Sequence, residues 1–242
     1  EPHLGSTYTT VVCDSFARFH RQRGIPAFLM TGTDEHGDKI AQSAAAAGLA
    51  PQAFVDQVSA KFRAAWDSCG IGYDHFIRTT DEGHKQFVQE FVQRIYDNGD
   101  IYEDTYSGLY CVGCEAFKNE DELVDGKCPD HGTVPERIEE KNYFFRLSRY
   151  QEPLLKLYDE RPDFVLPDFR RNEARSFIEG GLEDFSLSRA GQPWGVPVPW
   201  DQDQVIYVWF DALINYLSAL TYAQPGEELR EVWEEVRGLG VR

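Results

Sequence analysis

Two short cysteine motifs, Cys111-Val112-Gly113-Cys114 and Cys128-Pro129-Asp130-His131, place three thiols and an imidazole within one stretch of the chain. Thiolate sulfur and imidazole nitrogen are the donors Zn²⁺ prefers, and four protein ligands leave no position open for a reacting water. Cys111, Cys114, Cys128 and His131 are therefore expected to hold one structural zinc ion, with binding coupled to folding of that segment. Disulfides are the competing reading; five cysteines cannot all pair, and His131 completes a ligand set.

Three other groups could do chemistry. The turn Gly32-Thr33-Asp34-Glu35-His36-Gly37 follows a short apolar run, where an open α/β sheet binds ligands beyond its strand ends, and a carboxylate such as Asp34 can there meet a substrate ammonium. Asp34, Glu35, His36 and Asp38 could instead form a metal site or a solvated turn; adjacent residues do not converge on one ion, which favours the turn. His36 is open between contacting a bound nucleotide and anchoring the turn. Trp209 precedes Ala212 and Tyr216, which stand four apart on one helix face and outline an aromatic slot with a small floor. Core packing is the alternative for Tyr216. Finally, His3, Gly5 and Ser6 precede a helix whose first amides and positive dipole end suit a phosphate, against a surface residue or cap as the plain alternative.

These groups need elements to hold them. Residues 7–23 carry Tyr8, Val12, Phe16 and Phe19 at helical spacing, with Gly24 as the stop. A strand over 27–31 leads through the acidic turn to an Ala-rich helix ending near Ala47. Pro51 opens a helix through Phe54, Val58, Phe62 and Trp66, and residues 82–98 form another with Phe87, Phe91 and Ile95 as its apolar stripe. From Asp100 the texture turns aromatic and Gly-rich around the cysteines, then to a strand over 142–147 and helices near 150–160 and 172–179. The stretch 193–199 reads as extended. Residues 205–210, apolar on both faces, read as a central parallel strand, followed by a helix over 212–220 and a charged, partly helical tail to Arg242. Cys13 and Cys69 read as small core residues.

With 242 residues, 42% hydrophobic and 14% aromatic, the chain can bury a full core. No apolar run approaches the length of a membrane span, so no membrane partner is expected. The balance of 24 basic to 41 acidic residues, a formal charge of −17, repels phosphate backbones on average and argues against DNA as a partner, though not against a local RNA site. Reduced cysteine ligands point to the cytoplasm. A start at Glu1 immediately before Pro2-His3-Leu4-Gly5 suggests a fragment.

His3-Leu4-Gly5 at a helix start, Thr31 to Gly37 after a strand, the CxxC with CPxH, and Tyr207-Val208-Trp209-Phe210-Asp211-Ala212, in that order, resemble the methionyl-tRNA synthetases of class I, in the bacterial form with a single zinc knuckle. The resemblance spans essentially the whole chain. It implies an α/β, Rossmann-type catalytic domain split by a zinc-binding connective insert: first half 1–99, insert 100–184, second half 185–242. It implies ATP with Mg²⁺, methionine and tRNA(Met) as substrates, joined through a methionyl-adenylate. By the same resemblance His3 and Ser6 serve the reacting phosphate, His3, Gly5, Ser6 and His36 the nucleotide, and Asp34, Trp209, Ala212, Leu213 and Tyr216 the methionine, whose polarizable thioether suits an aromatic wall. Arg189 would neutralise the adenylate or the tRNA end. Two departures stand out: Ser6 replaces the second histidine of the HIGH signature, and no KMSKS loop, anticodon-binding domain or strand before the HIGH signature is found, so the fragment is not expected to complete activation alone. A cysteinyl or branched-chain synthetase is the rival within the class, and a noncatalytic zinc-bearing RNA-binding paralogue the rival outside it.

Overall fold

The computed structural model describes residues 2–114 and 116–222. The tail expected beyond these lies outside the described residues. Helix α1 (Leu4–Gln22) begins three residues earlier than expected because His3 caps it. It leads to β1 (Met30–Thr33), α2 (Asp38–Ala46) and α3 (Pro51–Ser68), the last with Pro51 in its first turn, where no intrahelical donor is needed. β2 (His75–Arg78) lies parallel to β1 from Met30 opposite His75 to Thr33 opposite Arg78. Gly32 permits that approach: a Cβ there would sit 2.0 Å from the Ile77 carbonyl oxygen.

Helix α4 (Glu82–Asp97) feeds an antiparallel sheet of order β4-β3-β5-β6, built from β3 (Ile101–Cys111), β4 (Ala116–Lys118), β5 (Glu136–Phe145) and β6 (Phe185–Ser186). Between β5 and β6 the helices α5 (Gln151–Glu160) and α6 (Asp168–Glu179) pack through Tyr158, Ile178 and Leu182. A second antiparallel sheet, β7-β9-β8, joins β7 (Ser188–Ala190), β8 (Pro197–Val198) and β9 (Asp201–Ile206), and α7 (Val208–Tyr222) follows. One core of Val88, Val92, Ile101, Tyr143, Leu187, Val196, Val198, Ile206 and Ile214 ties α4, both antiparallel sheets and α7 together. A second core, with Trp66, Ile71 and Phe76, backs the parallel pair.

The structure corrects four expectations. The strand expected over 205–210 ends at Ile206 and pairs antiparallel with β7 and β8, so Trp209, Phe210 and Asp211 belong to the first turns of α7. Hydrophobicity on both faces of that run reflects packing on two elements, not a parallel neighbour on each side. The stripe of α1 faces outward, with Tyr8 69% and Phe16 62% exposed, because the helix docks through polar links instead: Asp14 accepts from the Gly72 amide at 2.9 Å, and Arg21 donates to the Ala27 carbonyl. The fully buried line of α4 is His84, Val88 and Val92, one residue round from the expected Phe87, Phe91 and Ile95, which are partly buried. Cys13 and Cys69 are exposed, Cys13 on the outward face of α1 and Cys69 at the end of α3.

Candidate active site

The turn after β1 is the centre of the site. Gly37 caps α2 with φ 101°, a left-handed conformation that an L side chain resists, and the turn before it sends successive side chains in opposite directions. Glu35 goes inward. Its buried carboxylate accepts from Thr33 Oγ1 at 2.6 Å, Arg78 Nε at 2.8 Å and Thr80 Oγ1, while its amide donates to Thr79 Oγ1. Trp194 straps the turn from outside: its indole N–H donates to the Glu35 carbonyl at 2.6 Å, and its ring meets His36 edge-on at 5.5 Å.

His36 is buried, and its Nδ1 lies 2.6 Å from Asp211 Oδ2 on α7. The other oxygen of Asp211 is 2.6 Å from His84 Nε2, and His84 Nδ1 is 2.7 Å from Ser218 Oγ. A carboxylate only accepts, so both facing imidazole nitrogens carry hydrogen and the Ser218 hydroxyl can donate to His84 Nδ1. Burial pushes the Asp211 carboxyl upward, but the interactions with His36 and His84, their hydrogen bonds foremost, outweigh it and hold the group below the ordinary aspartate range.

Asp34 points to the open side of the turn. Of the three cavities it borders, two also touch α7: one of about 170 Å³ walled by His36, Lys39, Ile40, Val208, Trp209 and Ala212, and one of about 190 Å³ reaching Met30, Thr31, Asn215 and Tyr216; the third, about 330 Å³, lies against α3 at Phe54, Val58 and Phe62. Its carboxyl is pushed above the usual range, first by desolvation in the cleft and then by the charge of Asp211. Although its residue surface is exposed, enough protein surrounds the cleft to desolvate the carboxyl, and the upward direction follows from that. The structure thus brings Asp34, Trp209, Ala212 and Tyr216 around adjoining spaces; Leu213 is 64% exposed and lines neither.

His3, Gly5 and Ser6 stand at the exposed start of α1 and line neither cavity. The first amides of α1 are not free: His3 Nδ1 accepts from the Gly5 amide at 3.1 Å and the Ser6 amide at 3.4 Å, and the His3 amide donates back to Ser6 Oγ. With Nδ1 used as the acceptor in this reciprocal cap, the ring's hydrogen sits on Nε2. A side chain at Gly5 would crowd the ring at 3.0 Å. Arg189 is buried, not solvated; it donates to the Ser186 and Ser188 carbonyls and lies 4.2 Å over the Tyr207 ring.

The four expected zinc ligands meet at the tip of the β3–β4 hairpin and the turn that follows. Their donor atoms all lie within 4.8 Å of one another, with Cys114 Sγ 3.5 Å from Cys128 Sγ and 3.3 Å from His131 Nδ1, and Cys128 Sγ 3.8 Å from that nitrogen. Tetrahedral Zn–S bonds of about 2.3 Å set ligand separations near 3.8 Å, so the donor set fits this ion, and 3.5 Å is far beyond a disulfide bond. A Cβ at Gly113 would overlap the His131 ring at 2.5 Å. The Cys114 thiol is pushed up to about 12 by burial and by the neighbouring Cys128 and Cys111 sulfurs, a proton affinity that a bound cation relieves.

Glu35, Arg78, His84, Asp211, Ser218 and Trp194 carry none of the roles expected from sequence. His84 could have been noticed as a titratable residue in helical step with Val88 and Val92, and Asp211 as the lone charge between Phe210 and Ala212.

The chain matches the family described as tRNA synthetases class I (M), over residues 1–136 and 122–238. It is 52% identical over 237 residues to the methionine–tRNA ligase of Thermotoga maritima, covering 96% of this chain and 38% of that protein. With the methionine–tRNA ligase of Thermosynechococcus vestitus it shares 54% identity over 221 residues, 90% of this chain and 42% of the relative. The crystal structure of Mycobacterium tuberculosis methionyl-tRNA synthetase bound by methionyl-adenylate superposes with a TM-score of 0.87 at 45% identity, covering 96% of this chain and 47% of that one. The chain spans between 38% and 47% of the length of these relatives.

Proposed function

The chain belongs to the class I (M) tRNA synthetase family and has that family's α/β fold, and from this premise we propose that it is the methionine- and ATP-binding part of a methionine–tRNA ligase. A carboxylate oxygen of methionine attacks the α-phosphate of ATP, giving methionyl-adenylate and pyrophosphate; a ribose hydroxyl of tRNA(Met) then takes the methionyl group and releases AMP. Positioning and charge stabilisation carry such a reaction. Asp34 pairs with the methionine ammonium, and Trp209, Ala212 and Tyr216 receive the thioether. His3 offers its Nε2–H to the phosphates of Mg²⁺-bound ATP, and Ser6 holds that ring in place from the far side of the cap. His36 contributes a wall of the cleft, with its Nδ1 committed to Asp211. Arg189 supports the second half from within. One zinc ion on Cys111, Cys114, Cys128 and His131 is structural, and residues 1–99, 100–184 and 185–242 are the first catalytic half, the insert and the second half. Reduced thiols suit the cytoplasm; no helix among the described residues is long and apolar enough to cross a membrane.

The observation that carries the reading is the shared wall: one carboxylate, Asp34, opens into the same cavity as Trp209 and Ala212. Methionine-dependent exchange of pyrophosphate into ATP by the full-length polypeptide tests it. A charge-assisted bond to an ammonium contributes about 1.5–3 kcal/mol, so Asp34→Asn should raise the methionine KM about tenfold to a hundredfold. Folded, zinc-loaded protein that shows no exchange, or exchanges with cysteine in place of methionine, overturns the reading.

A further inference from the structure

Beneath the proposed methionine slot lies a chain of buried polar groups that starts at the cleft wall, His36, and continues through Asp211, His84 and Ser218, none of which has an assigned role. Asp211 and His84 have no exposed surface, and their side chains run from Ser218 through His84 and Asp211 to His36 with every link between 2.6 and 2.7 Å. It joins α4, α7 and the turn after β1. Asp211 immediately precedes Ala212, and His36 stands two residues after Asp34, so the two walls of the slot hang from opposite ends of one hydrogen-bonded carboxylate.

We propose that the His84–Asp211–His36 chain is the positioning device of that slot: it fixes the rotation of α7 against α4 and sets the gap between Asp34 and the Trp209–Ala212–Tyr216 wall. The inference rests on the methionine reading above. Three arguments support it. Apolar contacts between α4 and α7 tolerate small rotations and slides, whereas a carboxylate bonded at both oxygens accepts one register. Burying a charge is expensive unless it is paired, and the two imidazole donors satisfy Asp211 without a cation that could move out to solvent. The Asp211 charge also reaches Asp34 and helps to raise it, so the network touches the ammonium site electrostatically as well as sterically. His36, His84 and Asp211 act through Asp34 and α7 and are positioning residues.

The test uses Asp211→Asn, His36→Ala and His36→Asn in the full-length polypeptide, each first checked for zinc content and cooperative unfolding. Methionine and ATP affinities are measured separately by calorimetry. A charge-assisted contact to the ammonium is worth about tenfold to a hundredfold in affinity and depends on the gap being right, so Asp211→Asn and His36→Ala are expected to weaken methionine at least about tenfold, with ATP changed less than about twofold. His36→Asn places an amide donor where Nδ1–H stands and should restore methionine affinity to within about threefold of the parent. Unchanged methionine affinity in folded Asp211→Asn, an equal loss for ATP, or no rescue by His36→Asn overturns the proposal. Should Asp211→Asn not fold, the His36 pair decides alone. A parent protein that binds ATP but no methionine overturns the reading of the slot itself, and this inference with it.

Discussion

Replacing Glu35 by alanine removes the anchor of the turn that presents Asp34. Its carboxylate is buried and accepts from Thr33, Thr80 and Arg78. Breaking a buried ion pair from one side costs about 3–5 kcal/mol. The Arg78 side chain is 18% exposed and keeps a second partner, Asp56, at 2.7 Å, so the arginine is not stranded. That places Glu35→Ala at the low end, about 3 kcal/mol, chiefly from two orphaned hydroxyls, a lost charge pair and a cavity. For a chain of this size about 3 kcal/mol lowers the unfolding temperature by about 6–12 °C. Thermal unfolding of zinc-saturated protein at neutral pH, followed by circular dichroism, measures it. Glu35→Gln, which keeps an acceptor but not the charge, should fall between parent and Glu35→Ala. A Glu35→Ala midpoint within about 2 °C of the parent would refute the claim that this carboxylate fastens the turn.

Two other outcomes follow from the same geometry. Cys128→Ala should abolish a zinc stoichiometry of one per chain, measured by atomic emission, and chelation of the parent should speed amide exchange in β3 to β5 while the β1–β2 pair stays protected; zinc retained by Cys128→Ala would contradict the ligand set. Asp34 has its carboxyl raised in the folded state, so the folded protein binds that proton more tightly than the unfolded chain, and this group's contribution to stability falls as pH rises through the ordinary aspartate value toward the raised one. Asp34→Asn should therefore unfold at a higher temperature than the parent at pH 7, with the gap closing toward about pH 4; a gap independent of pH contradicts the assignment.

Much of this was legible in the residues. The clustering of Cys111, Cys114, Cys128 and His131 could be read because four donors in two short motifs have few geometric solutions, and the helices because Pro51, Gly24 and the apolar spacing mark their ends. Three things could not be read. The outward turn of α1 depends on Asp14 and Arg21 reaching backbone groups near residues 27 and 72, long-range polar links that a local hydrophobic stripe does not reveal. The end of β9 at Ile206 hides inside an unbroken apolar run, because Val208 to Phe210 are as suited to a buried helix as to a strand. The role of Asp211 was hidden for the same reason: its partners, His36 and His84, are 175 and 127 residues away.

The site also answers a question that the excess of acidic residues raises: how three carboxylates can crowd one cleft without unfolding it. The charges of Asp211 and Glu35 both act to raise Asp34, and like charges in a low dielectric repel strongly. Two of them are settled by the fold. Glu35 belongs to Arg78, and Asp211 to a pair of imidazoles. Among the described residues no side chain forms an ion pair with Asp34, the one that faces the cavities. Its raised proton affinity comes first from desolvation in the cleft and then from the Asp211 charge, and a ligand ammonium beside it would recover the difference as binding energy. Internal pairing of the other two carboxylates leaves one position, not three, where a cation is favoured, which turns an acidic cleft into a site with a defined orientation.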